Sequence, residues 1–421
     1  MRIVILAVGT RGDVVPYAAL GLGLKKAGHS VYLATHDNFQ QLITEQGLEF
    51  SSIEGNPNEW IAGGEMQRLV EAGRDFLHWM RQLSSLASPL MERFLADCWQ
   101  ACQGAEAIIY SPFGWAGYHI AERINVPCCA ACLQPISRTR GFPAVWSPTW
   151  LHLGGIYNWL THIAIEQVFW QVFRKQVNQW RQQILNMPSI SLAGPFGRPN
   201  WKRQPFLYGY SRSVIPKPPD WPDWLHVTGY WFLERDPVWQ PPKKLIDFLN
   251  SGPPPVYVGF GSVLDRDPKA LRELVLKALA NAGKRGILQM GCVDQNNSRL
   301  SDDILQVGWI PHDWLFPKVA AVVHHGGAST TATSFLAGVP SVIIPFAWDQ
   351  PFWGQQVAKL GVGPLPIPRN QLSVERLATA INTATTDKGI AMRAAALGEK
   401  IQKEDGVTQA VDIFIRHLVH H

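Results

Sequence analysis

Short apolar runs recur along the first third of the chain, with more polar, helix-patterned stretches between them. RIVILAV (2–8), SVYLAT (30–35), LEFSSI (48–53), AIIYS (107–111) and PCCAACL (127–133) each read as a buried strand. Between the first two lies PYAALGLGLKKAGH, with Pro16 suited to a helix N1 position and Gly28 to its end. Strand, helix and strand in that order predict a parallel sheet with helices on both faces. The alternation stops over 141–212, which Trp and Pro punctuate. It restarts with VYVGFGS (256–262), GILQMG (286–291), LQVGWI (305–310), AVVHHGG (321–327) and SVIIPF (341–346).

The pattern predicts an α/β chain of two doubly wound, Rossmann-like domains facing across a cleft. Residues 1–213 form the first domain and 228–403 the second. Between them, the proline-dense stretch VIPKPPDWPDW (214–224) has the composition of a semi-rigid linker, placed at 214–227. Apolar residues at 407, 411, 413, 414 and 418 follow the 3.6-residue period and predict one terminal helix within 404–421, free to pack back toward the first domain. In open α/β sheets ligands bind beyond the carboxyl ends of the strands, so the strand-end segments are where chemistry is sought.

Composition narrows the picture little. At 421 residues the chain is long enough for two or three domains with their own cores, and 46% hydrophobic against 17% charged residues excludes disorder. A net charge of +5 is too mild to imply nucleic acid without a clustered basic stripe. No run of about 18 uncharged apolar residues occurs, and the N-terminus, followed by Arg11 and Asp13 without a cleavage pattern, reads as a strand rather than a signal peptide. The six cysteines (98, 102, 128, 129, 132 and 292) lack companion histidines at ligand spacing and read as buried thiols of a cytosolic protein; no metal site is expected. The unusual feature is 18 Trp, which suits cores, stacking platforms or membrane interfaces alike.

Four strand-end segments of the second half carry candidate chemistry. In GFGSV (259–263) small residues let backbone amides approach an anion, although glycine turns after strands are common. VHHGGASTTATSFLAGVP (323–340) puts two histidines and a glycine pair before a hydroxyl-rich helix start. The free amides there, with Ser329, Thr330 and His325, make a phosphate cradle; Ser329 as a simple N-cap is the plainer alternative. In PFAWDQPFWGQQVAKLG (345–361), Asp349 and Gln350 stand at a strand-to-helix turn. There a carboxylate and an amide suit vicinal hydroxyls, or Asp349 only caps the helix. GWIPH (308–312) offers an indole for stacking on a base, or for a core.

The spacing of Trp309-Ile-Pro-His312, then HHGGAST, then Asp349-Gln350 resembles the donor signature of inverting UDP-sugar glycosyltransferases of GT-B fold. GTRGDVVPYAALGLGLKKAGHSVYLATHDNF, TGYWFL (228–233) and PPVYVGFGSV are similar to segments of the bacterial and fungal branch that holds sterol glucosyltransferases and antibiotic glycosyltransferases. The resemblance implies that Trp309 stacks on uracil with His312 at the uracil or ribose, where the plant enzymes carry Gln. It places the diphosphate on His325, Gly327, Ala328, Ser329 and Thr330, with Ser262 and Arg11 nearby, and the sugar hydroxyls on Asp349 and Gln350. Trp348 beside them is bulkier than the small residue expected and narrows the sugar site. UDP-glucose is then a co-substrate, no cofactor is needed and transfer is metal-independent.

Inverting transfer needs a base on the acceptor hydroxyl and stabilisation of the departing diphosphate. Asp13, just beyond the first strand and two residues from Arg11, matches the acidic base of this branch; a turn or capping Asp is the alternative. At the ordinary carboxylate pKa of about 3.9 it is a weak base, so burial must raise it or the proton must move late. Between 131 and 212 nine Lys or Arg (138, 140, 174, 175, 181, 198, 202, 203, 212) face one acid, Glu166, among six Trp (146, 150, 159, 170, 180, 201). That segment reads as a dock for anionic membrane or the wall of a lipophilic acceptor pocket, with a solvated basic face over ordinary core aromatics as the alternative. The expectation is a cytoplasmic, membrane-peripheral hexosyltransferase acting on a sterol, triterpenoid or carotenoid. The rivals are a soluble flavonoid- or polyketide-type acceptor, a nucleotide-sugar epimerase, or an inactive lipid- or nucleotide-binding relative.

Overall fold

The structure is a computed structural model that describes residues 1–55, 91–148, 151, 153–198, 201, 204–235, 237–261, 267–290 and 298–419. It divides into two compact units, 1–233 with 405–421, and 234–404. Ser262, Cys292, Trp150, Lys202 and Arg203 lie outside the described residues.

In the first unit β1 (Arg2–Leu6), β2 (Ser30–Thr35), β3 (Glu49–Ser52), β4 (Ala107–Tyr110), β5 (Cys128–Cys132), β6 (Phe206–Tyr208) and β7 (Leu225–Val227) form a parallel sheet ordered β3-β2-β1-β4-β5-β6-β7. Helices α1 (Arg11–Lys26), α2 (Gln40–Glu45), α3 (Ala116–Ile124) and the long α4 (Gly155–Gln183) connect or cover its strands. Ile3 to Leu6 are wholly buried, which is why RIVIL reads as a continuous apolar run rather than an alternation. Two expectations are corrected here. The proline-dense 214–227 is no linker: it ends in β7, whose Leu225 and Val227 are buried against β6. Helix α1 starts at Arg11, five residues before Pro16, because Thr10 and Asp13 form a capping box that fixes an earlier start.

In the second unit β8 (Val256–Gly259), β9 (Gly286–Gln289), β10 (Ser298–Ser301), β11 (Ile304–Gln306), β12 (Ala321–His324) and β13 (Ser341–Ile343) form a sheet ordered β10-β11-β9-β8-β12-β13, antiparallel only at β10–β11. With them come α5 (Lys243–Asn250), α6 (Pro268–Asn281), α7 (His312–Leu315), α8 (Ala328–Leu336), α9 (Gln350–Lys359), α10 (Val374–Thr386) and α11 (Lys388–Gln402). Alternate residues of β8 serve opposite faces. Val256 and Val258 join a core with Leu271, Val275, Leu377 and Ile381, while Tyr257 joins one with Phe248, Leu315 and Phe316. Asp267 and Ser373 cap α6 and α10 through Ala270 N–H (2.9 Å) and Arg376 N–H (3.2 Å).

The chain then returns to the first unit as α12 (Gly406–Val419), whose Ala410, Val411 and Phe414 enter the core beside Tyr17, Leu20 and Leu24. Gly23 is small because α12 lies on it: a Cβ there would stand 2.5 Å from Val407 Cγ1. Phe414 is wholly buried, so Phe414→Ala is expected to lower the stability of the full chain by about 3–5 kcal/mol in urea unfolding. Replacing the exposed Asp412 on the same helix should change it by no more than about 0.5 kcal/mol.

Candidate functional site

Each sheet reverses its winding once. The first proceeds from β1 outward through β2 and β3, then crosses to β4 on the other side; the second runs from β8 to β9 and β11, then crosses to β12. Loops leaving neighbouring strands part at such a point and open a crevice at their carboxyl ends. Asp13 follows β1, while Gly261 follows β8 and His325 follows β12.

The His325 ring is boxed by glycines. Gly261, in left-handed backbone at φ 62°, would bring a Cβ within 3.1 Å of its Cε1, and a Cβ at Gly327 would collide with Nε2. Burial pushes the imidazole down to about 4, so His325 is neutral at physiological pH and has one N–H to donate. Its Nδ1 is buried and has no partner among the described residues. The preceding His324 is wholly buried and also held well below its usual range by desolvation; its Nδ1 accepts from Gly326 N–H at 3.1 Å. Helix α8 begins directly after the glycines, with Gly327 as its N-cap and no side-chain cap, so the simple N-cap reading of Ser329 fails. The hydroxyls of Thr331 and Thr333 are turned onto the helix carbonyls of Gly327 and Ser329 (2.9 and 3.0 Å). Uncapped first-turn amides beside a neutral imidazole are suited to an anion.

Trp309 is 56% exposed in the loop after β11, so the core reading of its indole fails. His312 opens α7 and stacks on Phe316 with ring centroids 4.5 Å apart. Its Nε2 lies 3.0 Å from Tyr257 Oη and 3.3 Å from Gln289 Oε1, and these two side chains are themselves joined at 2.8 Å. Neither Tyr257 nor Gln289 was expected at the site. Both sit on strands whose apolar runs gave no sign of a polar knot at their ends.

At the turn into α9, Gln350 is nearly buried and its Oε1 accepts from Phe346 N–H (2.8 Å) and Ala347 N–H (3.1 Å). Asp349 Oδ2 accepts from Trp353 Nε1 at 2.8 Å. One oxygen of each expected sugar ligand is therefore used to hold the turn. Trp348 is 48% exposed and has left-handed backbone at φ 59°. The other described non-glycine residues with positive φ are both Asn, which tolerates that region. A bulky residue there carries about 1–2 kcal/mol of strain.

In the first unit, Asp13 lies in the first turn of α1, with Oδ2 accepting from Thr10 N–H (2.8 Å) and Thr10 Oγ1 (2.9 Å). The capping geometry is thus present, and it also fixes the carboxylate beyond β1. A Cβ on Gly9 (φ 142°) would meet Asp13 Oδ2 at 2.6 Å, so this glycine makes room for it. Arg11 is exposed at the first position of the helix.

The basic, Trp-rich segment resolves differently from expectation. Arg181 is wholly buried and binds Glu122 at 2.8 Å, Arg198 binds the same carboxylate at 3.1 Å, and Arg138 is paired with Glu166. Glu122 lies before the segment, so counting charges within 131–212 overstates the basic surface. Trp170 and Trp180 are buried core residues, and Trp201 packs edge-on against Tyr118 and Phe196. Arg140, Lys175 and Arg212 remain exposed, and so do the apolar Leu153, Ile156, Trp159 and Leu160 at and just before the start of α4.

Residues 3–143 match the Glycosyltransferase family 28 N-terminal domain, and 273–413 match the Erythromycin biosynthesis protein CIII-like C-terminal domain. The fold is that of GT-B glycosyltransferases: the glycotransferase of kitacinnamycin superposes with a TM-score of 0.71 at 19% identity over 99% of both chains. The glycosyltransferase VinC, solved in complex with DTDP, superposes at 0.66 with 18% identity over 100% of both. The chain is thus similar at its start to a family 28 glycosyltransferase N-terminal domain and toward its end to a CIII-like C-terminal domain. More particularly, it is 38% identical over 99% of its length to a sterol 3-beta-glucosyltransferase of Emericella nidulans, and it spans 30% of that relative's length. A second sterol 3-beta-glucosyltransferase, from Yarrowia lipolytica, is also 38% identical, with 29% of its length covered.

The depressed His325 sets a pH signature. An unfolded chain protonates this residue near 6.5, while the folded one does so only near about 4. The folded state therefore binds fewer protons in that window, and stability falls as pH drops from about 6.5 toward 4. Urea midpoints between pH 7.5 and 4.5 should show a shallower fall for His325→Gln than for the wild type; parallel curves would refute the assignment.

Proposed function

We propose that the chain is an inverting glucosyltransferase that moves glucose from UDP-glucose to the hydroxyl of a sterol-like lipophilic alcohol. The observation that carries this reading is the second unit's crevice: α8 amides without a side-chain cap and a glycine-boxed neutral His325, within the same small unit as exposed Trp309 and the Asp349–Gln350 turn. Relatives named for sterol glucosylation supply the choice of sugar and acceptor.

In this reading Trp309 stacks on the uracil, and His312 contacts the uracil or ribose from its Tyr257–Gln289 anchor. The amides of Ala328, Ser329 and Thr330, the Gly327 backbone, the Ser329 and Thr330 hydroxyls and the His325 N–H hold the diphosphate. Asp349 and the Gln350 amide nitrogen bind sugar hydroxyls. Asp13 takes the acceptor proton as the oxygen attacks the anomeric carbon from the face opposite the diphosphate. The bond from that carbon to the phosphate oxygen breaks, and UDP departs with the electron pair, so an α-linked donor yields a β-glucoside. Concentrated N–H donors stabilise the charge that grows on the leaving oxygen, and this scheme involves no metal ion or cofactor. The enzyme works in the cytoplasm and meets its acceptor at an anionic membrane, which Leu153, Ile156, Trp159 and Leu160 contact. Among the described residues no helix is long and apolar enough to cross a membrane.

Asp13→Asn keeps an acceptor oxygen for Thr10 but removes the base. Transfer from UDP-glucose to sterols, followed by mass spectrometry, should fall about 10²–10⁴-fold while UDP affinity by calorimetry stays constant. Undiminished turnover would remove Asp13 from the mechanism. For the membrane contact, the wild type should cosediment with vesicles containing anionic lipid, and Ile156→Glu with Leu160→Glu should abolish it; equal sedimentation of the two proteins counts against that face.

A further inference from the structure

We infer that the Trp348 indole is the donor-sugar selector of this chain, stacking on the C–H face of a nucleotide-linked hexose while a strained backbone holds it in place. The inference rests on the UDP-sugar reading above and adds to it a residue whose role comes from its conformation. Trp348 stands at φ 59°, where glycine or asparagine would sit without strain. The turn is kept from relaxing by Gln350, whose Oε1 ties down the N–H groups of Phe346 and Ala347, and by Asp349, whose Oδ2 is anchored on Trp353 Nε1.

Core packing does not compensate for that strain, because Trp348 is 48% exposed whereas Trp353, one turn further on, is 1% exposed. Strain kept without a matching gain in packing is characteristic of sites where the side chain acts on a ligand. The surrounding chemistry says which ligand. An aromatic face beside a carboxylate and an amide matches a pyranose, whose equatorial hydroxyls meet the polar groups while its axial C–H bonds meet the electron-rich face of the ring. Since the Gln350 oxygen is already used by the backbone, that residue offers the sugar only its N–H donors, and shape selection falls to the indole.

Calorimetry on the full chain with UDP and with UDP-glucose, without acceptor, tests this using two variants. Trp348→Asn removes the ring and suits the left-handed backbone; Trp348→Phe keeps a ring. UDP affinity should be unchanged in all three proteins. UDP-glucose affinity should fall about three- to tenfold in the Asn variant and be largely retained in the Phe variant, with UDP-galactose then bound by the Asn variant about as well as UDP-glucose. The melting temperature of the Asn variant should equal or exceed that of the wild type, which separates loss of a contact from loss of fold. Unchanged UDP-glucose affinity in the Asn variant, or an equal loss for UDP and UDP-glucose, would overturn the selector role. A wild type that binds no UDP would instead overturn the donor reading on which it rests.

Discussion

A parallel strand cannot turn directly into its neighbour; the chain must cross over the sheet first, and both faces of the sheet are then covered. In this protein that constraint separates packing from chemistry. Strand interiors such as Ile3–Leu6 and Ala321–Val323 are wholly buried, so polar side chains collect at the carboxyl ends, where strands hand over to helices. Where the winding reverses, the handover loops diverge. Asp13, His325 and the uncapped start of α8 occupy such positions in their own sheets.

Within the second unit, the site is built by giving each candidate ligand a structural partner. His312 is anchored by Tyr257 and Gln289, Asp349 by Trp353, and Gln350 by the backbone of its own turn. His325 differs: glycines make space around it, and burial keeps it neutral. A neutral imidazole offers a directed hydrogen bond rather than a charge, so positive character at this end of β12 comes mainly from the α8 amides. In the first unit the same economy gives Asp13 two tasks, since the oxygen that closes the capping box also fixes where its carboxylate stands.

The basic segment before β6 shows how charge misleads when counted along the chain. Arg181 and Arg198 share Glu122, a residue from α3 far away in sequence, and Arg138 is matched by Glu166. Four aromatic residues of that region, Trp170, Trp180, Trp201 and Phe196, pack among themselves and their neighbours. Apolar residues are exposed at the start of α4, and that exposure cannot be read from composition.

Apolar runs determined the strands because a strand buried on both faces has almost no other way to be written, and the glycine pair with its hydroxyl-rich sequel marked where β12 ends and α8 begins. Family-like spacing pointed to glycosyl transfer and to the strand-end residues suited to it. Tertiary structure decided what local sequence could not express. Thr10 reaches Asp13 and starts α1 ahead of Pro16; pairing with β6 makes strand β7 of Leu225–Val227, directly after a proline-dense stretch; and Gln350 spends its oxygen on a turn that holds Trp348 in a left-handed backbone. Each of these depends on a hydrogen bond or contact whose partner a linear pattern does not specify. The sequence therefore settled which groups stand at the strand ends, and the fold settled which of their atoms remain for a ligand.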